Sequence, residues 1–332
     1  MKKILVIQTA FIGDVILATS VLEKLHRFIP DAHLHMLVRK GNESLFHDHP
    51  FLKRVWIWNK KENKQAHLRQ LIREIRTERF DHVINLHRFS SSGLITMMSG
   101  AKEKAGFLKN PFAFSFDVRK KYLIAKTQGA SYMHETERCL SLIEHLTDTS
   151  FQRPALYPSK QDESVAATWS NDEFITISPA SVWFTKQTPL KVWKEWIGSC
   201  PLPVVLLGGV GDKAMCESLA EGSDHVRIAA GELSLLQSAA LMKRARMNYT
   251  NDSAPMHLCS AVNAPVTAVY CSTIPEFGFG PLSDVRYVVQ SRQQLTCKPC
   301  GLHGHRACPK KHFRCGDIAI QDLMATLNHP SA

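Results

Sequence analysis

The sequence alternates short apolar runs with longer stretches of helical periodicity, and this alternation constrains the fold more than any other feature. At the start of the chain, Lys3–Gln8 has the length of a buried strand, and Gly13–Phe28 repeats apolar residues at helical spacing. The first series continues with strands at His33–Val38, Val55–Trp58 and Phe80–Leu86 and a helix at Ala66–Arg79. Strands that alternate with helices predict an α/β fold in which helices connect the strands of a parallel sheet.

The pattern begins again after Phe151–Gln161, a segment with two prolines and little periodicity that is typical of a domain linker. The second series has strands at Glu173–Ser178, Val204–Leu207, Met247–Thr250 and Val266–Tyr270, and helices at Asp212–Glu221 and Leu233–Ala245. We therefore predict two Rossmann-like domains, residues 1–155 and 156–332, with a cleft between them. The last helix is a candidate to pack back on the first domain. Ligands bind such sheets beyond the carboxyl ends of the strands.

Composition limits the class of protein. The chain has 332 residues, of which 44% are hydrophobic and 21% are charged, and this balance excludes wholesale disorder. No run reaches the ~18–20 apolar residues of a membrane-spanning helix, and Ile4–Ile7 is too short for the core of a signal peptide. We expect a soluble, non-secreted, cytoplasmic protein.

The positive charge is concentrated in the first half of the chain. The 41 Lys and Arg residues exceed the 30 Asp and Glu residues by 11. Residues 1–160 hold 26 basic and 15 acidic residues, whereas residues 161–332 hold 15 of each. This asymmetry predicts that the first domain meets nucleic acid, a phosphorylated substrate or a membrane surface, and the alternative is ordinary variation in surface charge.

The loop QTAFIGD joins the first strand to the first helix. Gly13 allows close backbone approach, and free amides at the helix start favour an anion. The loop lacks both G-x-G-x-x-G and G-x-x-x-x-G-K-[ST], which disfavours a dinucleotide-binding domain and a P-loop NTPase. Asp14 has two interpretations: a cap of the helix, or a carboxylate placed to accept a proton from a substrate hydroxyl.

Two loops of the second domain carry further polar residues. Ser178 ends a strand, and Lys186 follows in an aromatic-rich loop, either as a solvated lysine or as a cation that neutralises a diphosphate leaving group. After Met247–Thr250, Asp252 and Ser253 are strong N-cap residues for a helix over Ala254–Val262. Such a helix start binds phosphate.

Taken together, these motifs resemble those of the heptosyltransferases, glycosyltransferase family 9. The motifs are the strand–Gly13-Asp14–helix junction, K-x-T-P beginning at Lys186, and D-S-x-x-x-H from Asp252 to His257. The resemblance covers nearly the whole chain, including residues 80–107 and 134–146, and is most specific at NDSAPMH and the loop after it.

The resemblance implies a GT-B fold in which the first domain binds the acceptor and the second binds the nucleotide sugar. The family is expected to move heptose from ADP-heptose to the inner core of lipopolysaccharide, with inversion and without a required metal or other cofactor. The acceptor would be Kdo-lipid A or its heptosylated form. This implies peripheral contact with the cytoplasmic face of the inner membrane and no nucleic-acid partner.

The resemblance also implies residue roles. Asp14 corresponds to the general base, Lys186 to the cation at the donor phosphate, and Asp252 to a residue that binds the donor sugar. The remaining expected donor-binding residues are Ser178, Asp212, Ser253, Ala254 and His257. The chain departs from the family at Ala254, where glycine is common, and Asp212 fits an acidic loop position only in an uncertain register. The acceptor-binding residues are not identified beyond the basic first domain.

Four of the nine cysteines are clustered near the end of the chain. Cys297, Cys300, Cys308 and Cys315 have the spacing C-x2-C-x7-C-x6-C, which is compatible with a structural zinc site but is not the usual paired pattern. Free thiols or a disulfide are the alternatives. A reducing cytoplasm favours free thiols for the other five cysteines.

Three other functions remain open at this point. The chain could transfer a different nucleotide sugar in cell-surface polysaccharide synthesis, sense nucleotide sugars without catalysis, or bind nucleic acid through its basic half and a zinc knuckle. Against nucleic acid, basic residues such as Arg69, Arg73 and Arg76 are not interleaved with stacking aromatic residues.

Overall fold

The computed structural model describes residues 1–60, 62–169 and 172–327. The chain divides into two compact units. Met1–Leu123 and Met133–Tyr157 form the first unit, and Ile124–Tyr132 and Pro158–Ala332 form the second. The chain therefore passes from one unit to the other at three places, and residues 124–132 pack with the second unit although the first surrounds them in sequence.

The first unit is built on a six-stranded parallel sheet with the order β3-β2-β1-β4-β5-β6. Its strands are β1 Lys3–Ile7, β2 His33–Arg39, β3 Leu52–Trp58, β4 His82–Asn85, β5 Glu103–Phe107 and β6 Val118–Lys120. Four consecutive residues of β1, Ile4 to Ile7, have no exposed surface. Both faces of this central strand are covered, which explains why its sequence is a continuous apolar run.

Among the described residues, four helices accompany this sheet: α1 Ile12–Phe28, α2 Lys64–Glu78, α3 Ser90–Met98 and α4 Glu135–Leu140. Helix α1 follows β1 directly, so the first turn of the helix lies at the carboxyl edge of the sheet. Leu71, Ile72 and Ile75 of α2 pack with Trp56, Trp58 and Phe80 in one apolar cluster. The three helix residues recur at helical spacing, which is the pattern that predicted this helix.

The second unit repeats the arrangement with the strand order β12-β11-β10-β7-β8-β9, again all parallel. Its strands are β7 Ile175–Ser178, β8 Val204–Leu206, β9 Val226–Ile228, β10 Met247–Asn251, β11 Val266–Tyr270 and β12 Arg286–Gln290. Its helices are α5 Lys160–Ala167, α6 Leu190–Ser199, α7 Lys213–Ala220, α8 Leu235–Arg244, α9 Ala254–Val262 and α10 Ile320–Leu327. The predicted fold class, GT-B with two Rossmann-like domains, is confirmed.

The last described helix packs on the sheet of the second unit. Ile320, Leu323 and Leu327 of α10 belong to the buried cluster of that unit. The Tyr249 hydroxyl donates a hydrogen bond to the Leu323 carbonyl at 3.2 Å. The apolar face of α10 is thus buried against its own sheet. Residues 328–332 of the predicted second domain, and Lys61 among the basic residues of the first half of the chain, lie outside the described residues.

Several elements were not predicted from the sequence. Strands β5, β6, β9 and β12 and helices α3 to α6 were missed. β6 and β9 are only three residues long, and each includes an exposed basic residue, Arg119 or Arg227. Edge strands of this length give too weak a periodicity to be recognised. Within the described residues, no helix is both long and apolar enough to cross a membrane.

Candidate functional site

Asp14 lies in the first turn of α1, at the carboxyl edge of the first sheet. The N-cap residue of α1 is Phe11, so Asp14 is not the N-cap itself. The backbone amides of Phe11 and Asp14 act to lower the pKa of this carboxyl group. Asp14 thus lies inside the first turn, where an acidic side chain favours a helix start, and Phe11 takes the N-cap position.

The electrostatic environment of Asp14 is that of a base. Burial of the carboxyl group and the negative charge of Glu135 raise the pKa of Asp14 to about 7, although the nearby Arg88 acts in the opposite direction. A carboxylate with a pKa near neutrality accepts a proton far more readily than an ordinary aspartate does.

Glu135 belongs to a buried polar cluster on α4 that the sequence did not reveal. Its Oε2 accepts a hydrogen bond from Nε of Arg138 at 2.8 Å, and both side chains are almost fully buried. The Tyr122 hydroxyl donates to the same oxygen, and the guanidinium of Arg88 lies 3.9 Å from the centre of the Tyr122 ring. Because Glu135 is held on several sides, its charge stays at a fixed position relative to α1.

Lys60 and His87 lie at the same edge of the first sheet. Lys60 Nζ donates to the Thr9 carbonyl at 2.7 Å, and His87 Nδ1 lies 3.1 Å from Thr9 Oγ1. Burial, with Arg39 and Lys64 nearby, lowers the pKa of Lys60 to about 8. Burial, with Lys60 and Arg88 nearby, lowers the pKa of His87 to about 3. His87 is therefore neutral at physiological pH, and Lys60 is an ammonium group that can lose its proton.

The loops at this edge also expose large aromatic side chains. Phe11 is 57% exposed, Phe89 63% and Phe114 73%. The Asn110 side-chain amide donates to the carbonyls of His87 and Phe89 and so ties the loop after β5 to the loop after β4. Aromatic residues and cations thus occupy one edge of the first unit.

In the second unit, the corresponding edge is organised by Asn251 at the end of β10. Its Oδ1 accepts hydrogen bonds from the backbone amide and the hydroxyl of Thr188, and its Nδ2 donates to the Pro179 carbonyl. Ser178 ends the neighbouring strand β7, and its buried Oγ has no hydrogen-bond partner among the described residues. The Ser178 hydroxyl, one of the groups predicted to bind the nucleotide sugar, is therefore left at the strand end with its hydrogen-bonding capacity unused among the described residues.

Two of the predicted donor-binding residues form an ion pair. Lys186 Nζ lies 2.7 Å from Oδ2 of Asp252, with side-chain exposures of 15% and 7%. The Thr273 hydroxyl donates to the same carboxylate oxygen at 2.6 Å. Lys186 is therefore not a solvated loop lysine. Thr273, which the sequence did not single out, completes the contacts of Asp252.

The remaining donor candidates have different surroundings. Ser253 is the N-cap of α9 by backbone position, but its hydroxyl lies 3.4 Å from the Asn251 carbonyl instead of capping the helix. Ala254 begins α9, and His257 is buried one turn later. Asp212 accepts a hydrogen bond from the Gly209 amide at 2.8 Å and fills the space beside Gly208. Asp212 thus shapes its own loop, a role that the sequence did not assign.

The four clustered cysteines lie in the segment between β12 and α10. Cys297 Sγ lies 3.8 Å from His312 Nε2, and Cys308 Sγ lies 3.4 Å from the Phe313 amide. In the part of the chain that the structure describes, no group of three or more His, Cys, Asp or Glu side chains has the arrangement to hold a metal ion. The zinc interpretation therefore stays a prediction.

Comparison with known proteins shows which family this chain is similar to. The model of glycosyltransferase family 9 (heptosyltransferase) matches residues 68–311. Lipopolysaccharide heptosyltransferase 3 of Escherichia coli K12 is 26% identical over 283 residues, which cover 79% of this chain and 80% of that protein. Among solved structures, ADP-heptose lipopolysaccharide heptosyltransferase II of E. coli has a TM-score of 0.76 at 21% identity and covers 98% of both chains. An E. coli heptosyltransferase solved with ADP has a TM-score of 0.70 at 21% identity, over 86% of this chain and 92% of that one.

Proposed function

The chain belongs to glycosyltransferase family 9, the heptosyltransferases, and we propose that it transfers heptose from ADP-heptose to the inner core of lipopolysaccharide with inversion at the anomeric carbon. The observation that carries this proposal is the half-buried Asp14 carboxylate at the start of α1, with its pKa near 7. Transfer to a hydroxyl group needs a base of this strength, because the attacking oxygen must lose its proton as the new bond forms.

The reaction is a single displacement. The acceptor hydroxyl oxygen attacks the anomeric carbon of the heptose, and the Asp14 carboxylate takes its proton. The bond between the anomeric carbon and the diphosphate oxygen breaks, and ADP leaves with the electron pair. Attack from the face opposite the leaving group inverts the configuration.

The leaving diphosphate needs positive charge, and the second unit offers it. The ammonium group of Lys186 is held beside Asp252, immediately ahead of the N-terminus of α9. A lysine together with free backbone amides at a helix start stabilises a developing diphosphate without requiring a metal ion. We assign Ser253 and His257 to the diphosphate, Asp252 to the sugar hydroxyls, and Ser178, Asp212 and Ala254 to the surrounding donor pocket.

The acceptor is proposed to be an anionic glycolipid, Kdo-lipid A or its heptosylated form. The whole charge excess of the sequence lies in residues 1–160, and Lys60 and Arg88 lie at the same sheet edge as Asp14. Phe11, Phe89 and Phe114 add exposed apolar surface at that edge. Cations and aromatic side chains together suit a phosphorylated lipid at a membrane surface, so we propose peripheral binding at the cytoplasmic face of the inner membrane.

A single-turnover assay tests this function. The purified protein is mixed with labelled ADP-heptose and either Kdo-lipid A or heptosyl-Kdo-lipid A, with and without EDTA, and the anomeric configuration of the product is read by NMR. We expect transfer to one of the two acceptors, inverted stereochemistry and full activity in EDTA. Transfer only from a different nucleotide sugar would overturn the donor assignment, and retained configuration would overturn the mechanism.

A further inference from the structure

The loop that carries Lys186 is enclosed by a second segment of the same unit. We call residues 183–189 the lysine loop and residues 297–316 the cysteine strap. Thr185 of the lysine loop is buried, and its backbone amide donates to the His305 carbonyl at 3.1 Å. In return the His305 amide donates to Thr185 Oγ1 at 2.8 Å. The residue next to Lys186 is therefore bonded twice to the strap.

The strap also contacts the lysine loop on both sides of this bond. Gly304 approaches Lys186 so closely that a Cβ atom at Gly304 would lie 2.9 Å from Lys186 Cγ. Farther along the strap, the Phe313 ring lies 5.0 Å from the Phe184 ring, centre to centre. These contacts leave the aliphatic part of the lysine little freedom to move toward the strap.

The strap is itself fixed to the sheet. Lys298 Nζ donates to the Tyr270 carbonyl at the end of β11 and to Gln290 Oε1 at the end of β12, at 2.8 and 2.7 Å. The Cys300 amide donates to the Ser272 carbonyl at 2.9 Å, and the Ser272 hydroxyl lies 2.9 Å from Thr185 Oγ1. The strap thus connects the ends of two strands to the lysine loop.

We infer that the cysteine strap is a positioning element for Lys186, and that its contact at Gly304 sets the affinity of the second unit for the diphosphate of the donor. A lysine side chain that must be ordered on binding costs ~0.5–1.5 kcal/mol, and a lysine already held in place avoids that cost. The inference rests on the proposed role of Lys186 at the donor diphosphate.

The test compares two glycines with similar backbone angles. Gly304 has φ +74° and touches Lys186, whereas Gly222 has φ +76° and no atom within 4 Å of its Cβ position. Alanine at either site strains the backbone, but only Gly304→Ala pushes on Lys186. We expect Gly304→Ala to raise the calorimetric Kd for ADP about 2- to 12-fold, which is the ordering cost given above converted into affinity. Gly222→Ala should leave the Kd for ADP unchanged. Equal Kd values for Gly304→Ala and the wild type would overturn the inference.

A second pair of variants keeps the test decisive if Gly304→Ala folds poorly. Thr185→Val removes the hydroxyl that bonds His305, and Thr185→Ser retains it. We expect the KM for ADP-heptose to rise in Thr185→Val with little change in kcat, and Thr185→Ser to restore it. A fall in kcat alone, or the same KM in both variants, would count against positioning.

Lys186→Ala, measured in parallel, separates the two claims. If Lys186→Ala binds ADP as the wild type does, the donor role of Lys186 is wrong and the proposed function loses that residue. If Lys186→Ala binds ADP weakly while both strap variants bind it normally, the donor role stands and the positioning role is wrong.

Discussion

Lys186 Nζ and Asp252 Oδ2 lie 2.7 Å apart in the second unit, and both side chains are largely buried. A cation held this way is oriented before any ligand arrives, so a diphosphate can bind it without the cost of ordering a free lysine. The pair also holds Asp252 in place beside the first turn of α9.

Replacing Lys186 by alanine should weaken ADP binding about 10- to 100-fold, the value of one charge-assisted hydrogen bond. Isothermal titration calorimetry measures the change. Lys194→Ala is the matched control. Lys194 is half-exposed, and its ion pair with the exposed Glu221 is long, at 3.7 Å between Nζ and Oε2. An unchanged dissociation constant in Lys186→Ala would remove this lysine from the donor site.

Asp14→Asn should abolish transfer, with a loss of at least ~100-fold expected for removal of a general base. ADP should bind the variant as it binds the wild type. Since the neutral amide removes a charge whose burial is unfavourable, we expect thermal unfolding at pH 8 at the same or a higher temperature. The control is Asp31→Asn, at an exposed turn before β2. Near-normal turnover by Asp14→Asn would contradict the base assignment.

The pH profile should follow the protonation of Asp14. The base acts as a carboxylate, so with a pKa of about 7 the rate should be low in acid, rise through neutral pH and level off above it. The charge of Glu135 contributes to this raised pKa. Glu135→Gln should therefore shift the midpoint of the profile to lower pH.

Glu137→Gln is the control for this shift, because Glu137 lies on the same helix with its side chain exposed. Its profile should superimpose on that of the wild type. A shift of similar size in both variants would mean that Glu135 does not act on Asp14 specifically.

Binding to anionic vesicles should depend on both the charges and the aromatic residues of the first unit. We expect sedimentation with phosphatidylglycerol vesicles to fall steeply as salt rises, because the Debye length shrinks to ~3 Å at about 1 M. The double variant with Phe89→Ser and Phe114→Ser should bind the vesicles less than the wild type does. Val182→Ser with Val210→Ser is the control, since both valines are 78% exposed in the second unit. Equal losses in both double variants would argue against a membrane surface at this edge.

Elemental analysis of protein prepared without a histidine tag tests the four clustered cysteines. Structural zinc at this site predicts about one zinc per chain, lost in Cys308→Ser and kept in Cys216→Ser, whose buried thiol lies on α7. A zinc content well below one per chain would exclude structural zinc at these cysteines.

The positions of several candidate residues were predictable because they lie where strands end. Asp14 and Asp252 follow buried strands whose apolar runs are clear in the sequence, and Ser178 ends one; within each sheet, parallel strands bring their carboxyl ends to one edge. The choice between interpretations was not predictable. Whether Lys186 is solvated or paired depends on Asp252, which is distant in sequence and close only in the folded chain.

The surroundings of Asp14 were missed for a related reason. Glu135 and Arg138 are charged residues on a helix of six residues, a pattern that normally indicates an exposed turn. They are buried because they pair with each other and with Tyr122. Their signal in the sequence was limited to the resemblance over residues 134–146, which marked the segment without assigning a role to either side chain.

The assignment of residues 124–132 to the second unit has a consequence for how the chain is made. Within that unit, the Gly129 amide donates to Glu276 Oε1 at 2.9 Å, across 147 positions of sequence. During synthesis this segment leaves the ribosome long before Glu276 does, so it must wait without its partner while the first sheet closes. A gene fusion that exchanged either half of the chain at Tyr157 would join residues 124–132 of one protein to the second unit of another. The first half of the chain therefore carries a segment whose packing depends on the second half.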